Sequence, residues 1–363
     1  MRIAFRADAS LQIGTGHVMR CLTLADALRE RGAQCSFICR QHPGHLLDLI
    51  GQRGHEAIAL PVAVSTYKTK SSPAHAAWLA TDWATDAQQA RQSLGEQVMD
   101  WLVVDHYALD SRWEQALRPQ ARQIMVIDDL ADRPHDCELL LDQNLGRTEK
   151  DYADLLNPTT QKLIGPQYAL LRPEFAQWRK YSLARRAKPQ LKNLLITMGG
   201  VDQGNATGQV LNALKDCTLP ADLQITVVMG QQAPWMAQVE AVAAAMPWPT
   251  QVHAGVSNMA QLMADSDLAI GAAGGTAWER CVLGLPALVL VLAGNQNKGA
   301  KALQAQGAAI VVQQIQELRS LFQALIGGDG QLSTLQKMSN AGANLTNNKE
   351  ATHVARIVLS SHV

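Results

Sequence analysis

The chain has 363 residues, and its 32 lysines and arginines are balanced by 32 aspartates and glutamates, so its formal net charge is zero. Binding to the phosphate backbone of nucleic acids needs an excess of cations, and a bilayer span needs about 20 consecutive apolar residues. Because the chain shows neither feature, we expect a globular cytoplasmic protein of about two domains that binds neither nucleic acid nor membrane.

The first half of the chain alternates short apolar runs with longer amphipathic segments. This alternation is typical of a parallel β-sheet whose strands are joined by crossover helices. A helix is predicted over His17–Arg31, because apolar residues recur there at helical spacing and Gly32 follows. Strands are predicted at Arg2–Arg6, Gln34–Cys39, Glu56–Leu60, Trp101–Asp105, Gln123–Asp128 and Glu138–Leu141.

The alternation is interrupted between Asn144 and Asn193, where prolines and basic residues are frequent. It resumes with strands predicted at Leu194–Met198, Leu223–Val228, Gln251–Ala254, Asp267–Gly271, Ala287–Leu290 and Ala308–Val312. We therefore predict an N-terminal domain at 1–150, a linker at 151–192 and a C-terminal domain at 193–345. The expected fold class is α/β, with two Rossmann-like domains facing each other across a cleft and ligands bound at the carboxyl ends of the strands.

A glycine-rich turn joins the first predicted strand to the first helix. Gly14 and Gly16 in this turn allow backbone N–H groups to approach a phosphate or a sugar at the positive end of a helix. A dinucleotide site would need a third glycine where Met19 stands, and an acidic residue after the second strand, where Arg40 stands. The turn is therefore predicted to bind substrate, and a nicotinamide cofactor is disfavoured.

His17 directly follows this turn and is the candidate catalytic base. An imidazole exchanges its proton near neutral pH, and the adjacent positive helix end should keep the ring neutral and able to accept a proton. The alternative is a histidine that caps the helix or only positions a ligand. The other histidines show no metal-ligand spacing and the cysteines are scattered, so we predict no metal site and expect reduced, buried thiols.

Polar residues follow the fourth and fifth predicted strands, whose carboxyl ends should face the same cleft. Asp105 and Tyr107 are candidates for binding sugar hydroxyls, and either Asp105 or Asp8 is a candidate for orienting the imidazole. Asp128 and Asp129 are instead expected to cap the next helix.

Two further glycine turns join strands to helices in the second half of the chain. Their residues are Gly199 and Gly200 in one, and Gly274, Gly275 and Thr276 in the other. The second turn is expected to bind a diphosphate through its backbone N–H groups and its hydroxyl. Glu279 lies one turn further and is predicted to accept hydrogen bonds from the two hydroxyls of a ribose; the alternative is a surface glutamate at a helix start.

Several motifs of the chain occur in the same order in one group of proteins. They are Phe5–Asp8 with Gln12–His17, Asp105–Tyr107, Tyr168–Phe175, Met198–Asp202, Gly274–Glu279 and Asn295–Gln296. In these motifs the chain resembles the GT-B superfamily of nucleotide-sugar enzymes and, more closely, the UDP-sugar hydrolases of pseudaminic acid biosynthesis, the PseG family. The departures are an extra stretch near Ser65–Thr81 and the segment after Val312, whose role stays open.

The resemblance implies a UDP-sugar as the substrate. Proteins of this family hydrolyse UDP-2,4-diacetamido-2,4,6-trideoxy-β-L-altropyranose to the free sugar and UDP, by attack of water at the anomeric carbon. His17 matches the family's base, Glu279 its ribose-binding carboxylate, and Tyr107 and Asn295 its contacts with the sugar. We expect no cofactor, leave the oligomeric state open, and expect a helix at 346–363 to pack back on the first domain, as in related folds.

Two other functions remain open at this point. One is a glycosyltransferase of the same architecture, whose acceptor is a sugar or a lipid in place of water. A membrane-bound acceptor would favour a basic amphipathic helix, which the sequence lacks, although the first domain offers Trp78 and Trp83 as apolar contacts. The other is a nucleotide-sugar binder without catalysis, which would have no use for His17.

Overall fold

The computed structural model describes residues 1–62, 73–231, 233–326, 332–346 and 350–360. These residues form two compact units. One unit comprises Met1–Leu170 and the chain from Ala351 onward, and the other comprises Leu171–Glu350. Within the described ranges, every helix is too short or too polar to cross a lipid bilayer.

Seven parallel strands form the sheet of the first unit. They are β1 (Arg2–Ala7), β2 (Gln34–Arg40), β3 (Glu56–Leu60), β4 (Met99–Asp105), β5 (Ala121–Ile127), β6 (Leu139–Asp142) and β7 (Gln161–Ile164). Their order across the sheet is β3-β2-β1-β4-β5-β6-β7. Residues on both faces of the central strands are buried, such as Ala4 and Phe5 of β1, as expected of a parallel sheet covered on both sides.

The crossover segments of this unit contain the helices α1 (Gly16–Arg29), α2 (Leu47–Gln52), α3 (Trp83–Leu94) and α4 (Ser111–Leu117). Helix α1 places Val18, Leu22 and Leu28 in the core, at the helical spacing that the sequence shows. Helix α3 begins where the side chain of Asp82 accepts a hydrogen bond from the Thr85 amide.

The second unit repeats this architecture with six parallel strands. They are β8 (Asn193–Thr197), β9 (Gln224–Met229), β10 (Thr250–Ala254), β11 (Leu268–Ala272), β12 (Ala287–Leu290) and β13 (Ile310–Val312), in the order β10-β9-β8-β11-β12-β13. Its helices are α5 (Pro173–Arg186), α6 (Ala206–Leu214), α7 (Met236–Ala244), α8 (Met259–Asp265), α9 (Thr276–Val282), α10 (Gln296–Ala305), α11 (Leu318–Ile326) and α12 (Leu332–Leu345).

Helix α13 (Glu350–Ser360) belongs to the first unit, although it follows the second along the chain. Its buried residues Val354, Ala355 and Val358 lie in the same apolar cluster as Ile3 and Leu24. Within the segment 346–363, residues 351–360 thus form a helix on the first unit, while residues 347–349 and 361–363 lie outside the described residues.

All twelve predicted strands are present, with ends that differ by at most two residues, and the two Rossmann-like α/β domains are confirmed. The linker predicted at 151–192 is wrong. Its first part contains β7, which pairs with β6, and its second part contains α5, which begins at Pro173. Strand β7 escaped prediction because it is a short edge strand in which only Leu163 is fully buried.

Gly230, directly after β9, packs closely against the backbone of Gly200 in the turn that follows β8. A Cβ atom at this position would lie 1.9 Å from the carbonyl oxygen of Gly200, which is backbone and has little freedom to move away. We expect Gly230→Ala to lower the free energy of unfolding by about 1–3 kcal/mol or more, measured by urea denaturation. Gly299→Ala is the control, because nothing lies within 4 Å of the added carbon there. Equal stability of the two variants would contradict the clash.

Candidate active site

The glycine turn after β1 leads directly into α1. Gly14 adopts a φ of +84°, which favours glycine, and the hydroxyl of Ser10 accepts hydrogen bonds from the backbone of Gln12 and Ile13. Gly16 is the first residue of α1, so His17 lies in the first helical turn, where its side chain is almost completely buried. The turn thus fixes the position of the candidate base.

His17 contacts a buried carboxylate at the end of a neighbouring strand. Its Nδ1 lies 2.6 Å from Oδ1 of Asp105, the last residue of β4. An ionised carboxylate can only accept hydrogen bonds, so we assign the proton to Nδ1 and a free lone pair to Nε2. The pair therefore has the arrangement of a general base and its orienting acid. Asp8, the other candidate for this role, is instead bound to the Arg6 guanidinium at 2.6 and 2.9 Å.

Arg20 joins this pair to a second carboxylate, and sequence reasoning did not identify it. Its Nε and Nη2 each donate to one oxygen of Asp105 at 2.6 Å, and its Nη1 donates to Asp129 at 2.7 Å. Burial alone would raise the pKa of Asp105, but the attraction of Arg20 and His17 outweighs it and holds that pKa below its usual value. Asp105 is therefore ionised at neutral pH.

Tyr107 completes the cluster around the imidazole. Its hydroxyl donates to Asp129 at 2.7 Å, and its ring meets the His17 ring edge-on, with centroids 4.6 Å apart. Burial and the Asp129 carboxylate raise the pKa of Tyr107, so the phenol stays protonated. The cluster consists of His17, Arg20, Asp105, Tyr107 and Asp129, and we call it the base cluster.

The prediction that Asp128 and Asp129 cap a helix is wrong. The loop from β5 to β6 contains no helix among the described residues, so there is no helix start to cap. Asp129 lies in the base cluster and also accepts from Asn144 at 2.8 Å. Asp128 accepts from the Ala131 amide in a turn and from the hydroxyl of Tyr152.

An aromatic wall covers one side of the base cluster. It is formed by Trp78, whose ring centroid lies 5.6 Å from that of Tyr107 and 6.4 Å from that of His17, and by His75, 4.5 Å from Trp78. Burial lowers the pKa of His75, so this ring is neutral at physiological pH. Both residues belong to the extra stretch Ser65–Thr81, of which residues 65–72 lie outside the described residues.

In the second unit, both predicted glycine turns lie at the carboxyl ends of central strands. Gly199 and Gly200 follow β8, and Gly199 has a φ of +93°. The second turn, Gly274–Thr276, follows β11 and leads into α9. Within the described part of the chain, the amides of Gly274, Gly275 and Thr276 donate no hydrogen bond, and an added Cβ at Gly275 would meet nothing. These donors are therefore open to an acceptor such as a phosphate oxygen.

Glu279 lies in α9, one turn beyond Thr276, and is mostly buried. Its Oε1 is 3.6 Å from Nη2 of Arg172, and Nη1 of the same arginine lies 2.9 Å from Oε1 of Glu174. Burial raises the pKa of Glu279, and Arg172 opposes that shift. This environment does not fit the alternative of a solvated surface glutamate. Asn295, the predicted sugar contact, lies immediately before α10 of the same unit.

Arg280 is hydrogen-bonded to residues in and just before the Gly274–Thr276 turn. It is a further residue that sequence reasoning missed. It is buried and donates to the carbonyl of Ala272 at 2.7 Å and to the hydroxyl of Thr276 at 3.3 Å. Its signal in the sequence is the four-residue spacing from Thr276, which places both on one face of α9.

Among the described residues, no three His, Cys, Asp or Glu side chains cluster as metal ligands, and all six cysteines are buried and free.

Residues 193–356 match the glycosyltransferase family 28 C-terminal domain. The chain is 28% identical over 215 residues to the UDP-2,4-diacetamido-2,4,6-trideoxy-β-L-altropyranose hydrolase of Campylobacter jejuni, covering 59% of this chain and 66% of that protein. It is 25% identical over 295 residues to an uncharacterised protein of Methanocaldococcus jannaschii, covering 80% of this chain and 55% of that protein. The chain thus spans less than two thirds of the length of each.

The fold has counterparts among solved structures. MurG of Acinetobacter baumannii superposes with a TM-score of 0.67 at 19% identity, over 99% of both chains. Together with the two parallel sheets, this likeness establishes the GT-B fold. The chain thus has the GT-B fold, its residues 193–356 match the glycosyltransferase family 28 C-terminal domain, and part of its sequence is similar to the Campylobacter hydrolase.

Proposed function

We propose that the chain hydrolyses a UDP-sugar to UDP and the free sugar, with UDP-2,4-diacetamido-2,4,6-trideoxy-β-L-altropyranose as the substrate. The observation that carries this proposal is the contact of 2.6 Å between His17 and Asp105, which leaves Nε2 of the imidazole free to accept a proton. The similarity to the Campylobacter hydrolase supports the choice of substrate.

In the proposed reaction, Nε2 of His17 removes a proton from water while the water oxygen bonds to the anomeric carbon. The bond from that carbon to the diphosphate oxygen breaks, and UDP leaves with the bonding electrons. Asp105 stabilises the imidazolium that forms, in the way an orienting acid does in other base-assisted displacements. Attack opposite the leaving group inverts the configuration at the anomeric carbon.

The second unit supplies the contacts to UDP in this proposal. Backbone amides of Gly274, Gly275 and Thr276 bind the diphosphate and stabilise its charge as it leaves. Glu279 accepts hydrogen bonds from the ribose hydroxyls, Tyr107 and Asn295 contact the sugar, and the turns at Gly14–Gly16 and Gly199–Gly200 bring the backbone close to the substrate. The proposal needs no cofactor and no metal ion.

The test is release of UDP from the purified substrate with no acceptor present. Hydrolysis predicts stoichiometric UDP and free sugar, with the first-formed anomer inverted when followed by NMR, and turnover that survives EDTA. Release that depends on an added sugar or lipid acceptor would establish a glycosyltransferase instead. Binding without release would favour a nucleotide-sugar binder, and complete loss of turnover in EDTA would contradict the metal-free mechanism.

Glu279→Ala is expected to weaken UDP binding by a factor of about 10 to 10², because it removes a charged acceptor of two hydroxyl hydrogen bonds. Isothermal titration calorimetry with UDP and with 2′-deoxy-UDP checks this, since the variant should no longer distinguish the two ligands. Glu174→Ala is a matched control, because Glu174 shares the Arg172 partner but is not a proposed ligand contact. An unchanged Kd for UDP would refute the ribose contact.

A further inference from the structure

Arg20 occupies an unusual position beside the proposed base. It lies three residues after His17 on the same face of α1, and its side chain is only 12% exposed. It makes three hydrogen bonds of 2.6–2.7 Å to two carboxylates, Asp105 and Asp129. Its Nη2 also lies 3.5 Å from Nδ1 of His17, so the guanidinium and the imidazole share one oxygen of Asp105.

A buried carboxylate beside a base has two opposing effects: it stabilises the imidazolium that forms during the reaction, but it also favours protonation of the imidazole before the reaction begins. At 2.6 Å it attracts a proton to the imidazole, and an imidazole that is already protonated cannot take a proton from water. A cation that binds both oxygens of the same carboxylate opposes this effect, because it neutralises Asp105 and repels an imidazolium. Arg20 meets both conditions through its paired contacts with Asp105.

The remaining groups around His17 do not replace this cation. Tyr107 presents a neutral ring, and His75 is a neutral imidazole beyond Trp78. Cys21 contributes a buried thiol that donates to Asp105 at 3.5 Å. Asp129 adds a second negative charge, which Arg20 also binds. Arg133 lies with its Cζ 5.9 Å from the centroid of the Tyr107 ring, but it pairs with Asp128 and Asp132. Without the Arg20 guanidinium, the Asp105 carboxylate would therefore keep its contact with His17 and lose both of its hydrogen bonds from Arg20.

We propose that Arg20 is a positioning residue that keeps His17 unprotonated at neutral pH, by neutralising Asp105 while holding that carboxylate in place through both of its oxygens. The role of His17 as the base rests on the proposed function. The effect of Arg20 on the protonation of His17 does not, because it is a property of the first unit without substrate.

The first experiment is an NMR titration of histidine ring carbons in the full chain, with the His17 signal assigned by its loss in His17→Asn. Arg20→Met is expected to move the titration midpoint of His17 upward by roughly one to three pH units. Arg20→Lys, which keeps the charge, should move it much less, and Asp105→Asn should move it downward. Arg118→Met is the control, since Arg118 binds Asp136 and Glu138 outside the base cluster.

The second experiment measures kcat/KM for UDP release against pH. In Arg20→Met the acidic limb should move upward with the NMR midpoint, so that most of the activity lost at pH 7 returns at higher pH. A residue with a merely structural role would lower kcat/KM at every pH and leave the limb in place. That outcome, or an unmoved or lowered NMR midpoint in Arg20→Met, would overturn the proposal.

A second variant and an assay-independent measurement cover the cases in which Arg20→Met does not fold or the wild type releases no UDP. If Arg20→Met does not fold, Arg20→Gln takes its place, because glutamine still donates to Asp105 but carries no charge. If the wild-type protein releases no UDP, the proposed hydrolysis fails, and the NMR titration alone decides the role of Arg20.

Discussion

Replacement of His17 by asparagine is expected to lower kcat for UDP release by a factor on the order of 10² to 10⁴. Asparagine can still donate to Asp105, but it has no group that takes a proton from water at neutral pH. Without a base, water must attack the anomeric carbon before it loses its proton. The Kd for UDP should stay close to that of the wild type, because the residues proposed to bind UDP lie in the second unit.

Stopped-flow or coupled assays of UDP release, combined with calorimetric titration of UDP, measure the two effects separately. His45→Asn is the control, since His45 lies in the loop before α2, outside the base cluster. Near-normal turnover of His17→Asn would reject the role of His17 as the base. Loss of UDP affinity equal to the loss of kcat would instead indicate a ligand-positioning histidine.

Asp105→Asn is expected to have the second largest effect, a decrease in kcat by a factor on the order of 10² to 10³. The substitution removes the negative charge that stabilises the imidazolium as it forms. It also conflicts with Arg20, which donates to both oxygens of Asp105, so in either orientation the amide nitrogen of asparagine faces a guanidinium donor. The Asp105→Asn variant therefore loses both the negative charge and one of the two hydrogen bonds from Arg20.

The matched control is Asp110→Asn. Asp110 caps α4 by accepting from the Arg112 amide, and asparagine caps helices about as well as aspartate. Both variants should show similar secondary structure by circular dichroism, and only Asp105→Asn should lose turnover. If Asp105→Asn turned over at the wild-type rate, the contact with His17 would have no catalytic consequence.

Much of the fold could be predicted because the central strands of a parallel sheet are buried on both faces and therefore appear as apolar runs. Strand β7 could not, since an edge strand with Gln161 exposed lacks such a run. The turn and the position of His17 were predictable because the glycines, the strand and the helix are adjacent along the chain. These are local features, and a sequence displays them directly.

The base cluster illustrates what a single sequence hides. An arginine on a helix, such as Arg20, is usually solvated, and nothing local indicates that it binds two carboxylates. Its partners lie 85 and 109 residues away, at the ends of the neighbouring strands β4 and β5. The sequence predicts a helix cap at Asp129 for the same reason, because its observed partners are brought together by the order of strands in the sheet.

Helix α13 has a consequence for how the chain is made. It supplies Ala351, Val354, Ala355 and Val358 to the apolar cluster of the first unit, yet the ribosome produces it after all of the second unit. Domains generally fold as they emerge during synthesis. Here the apolar core of the first unit lacks the side chains of α13 until that helix emerges, whereas all residues of the second unit, Leu171–Glu350, have been synthesised before then. The order in which the two units are completed is therefore the reverse of the order in which they begin.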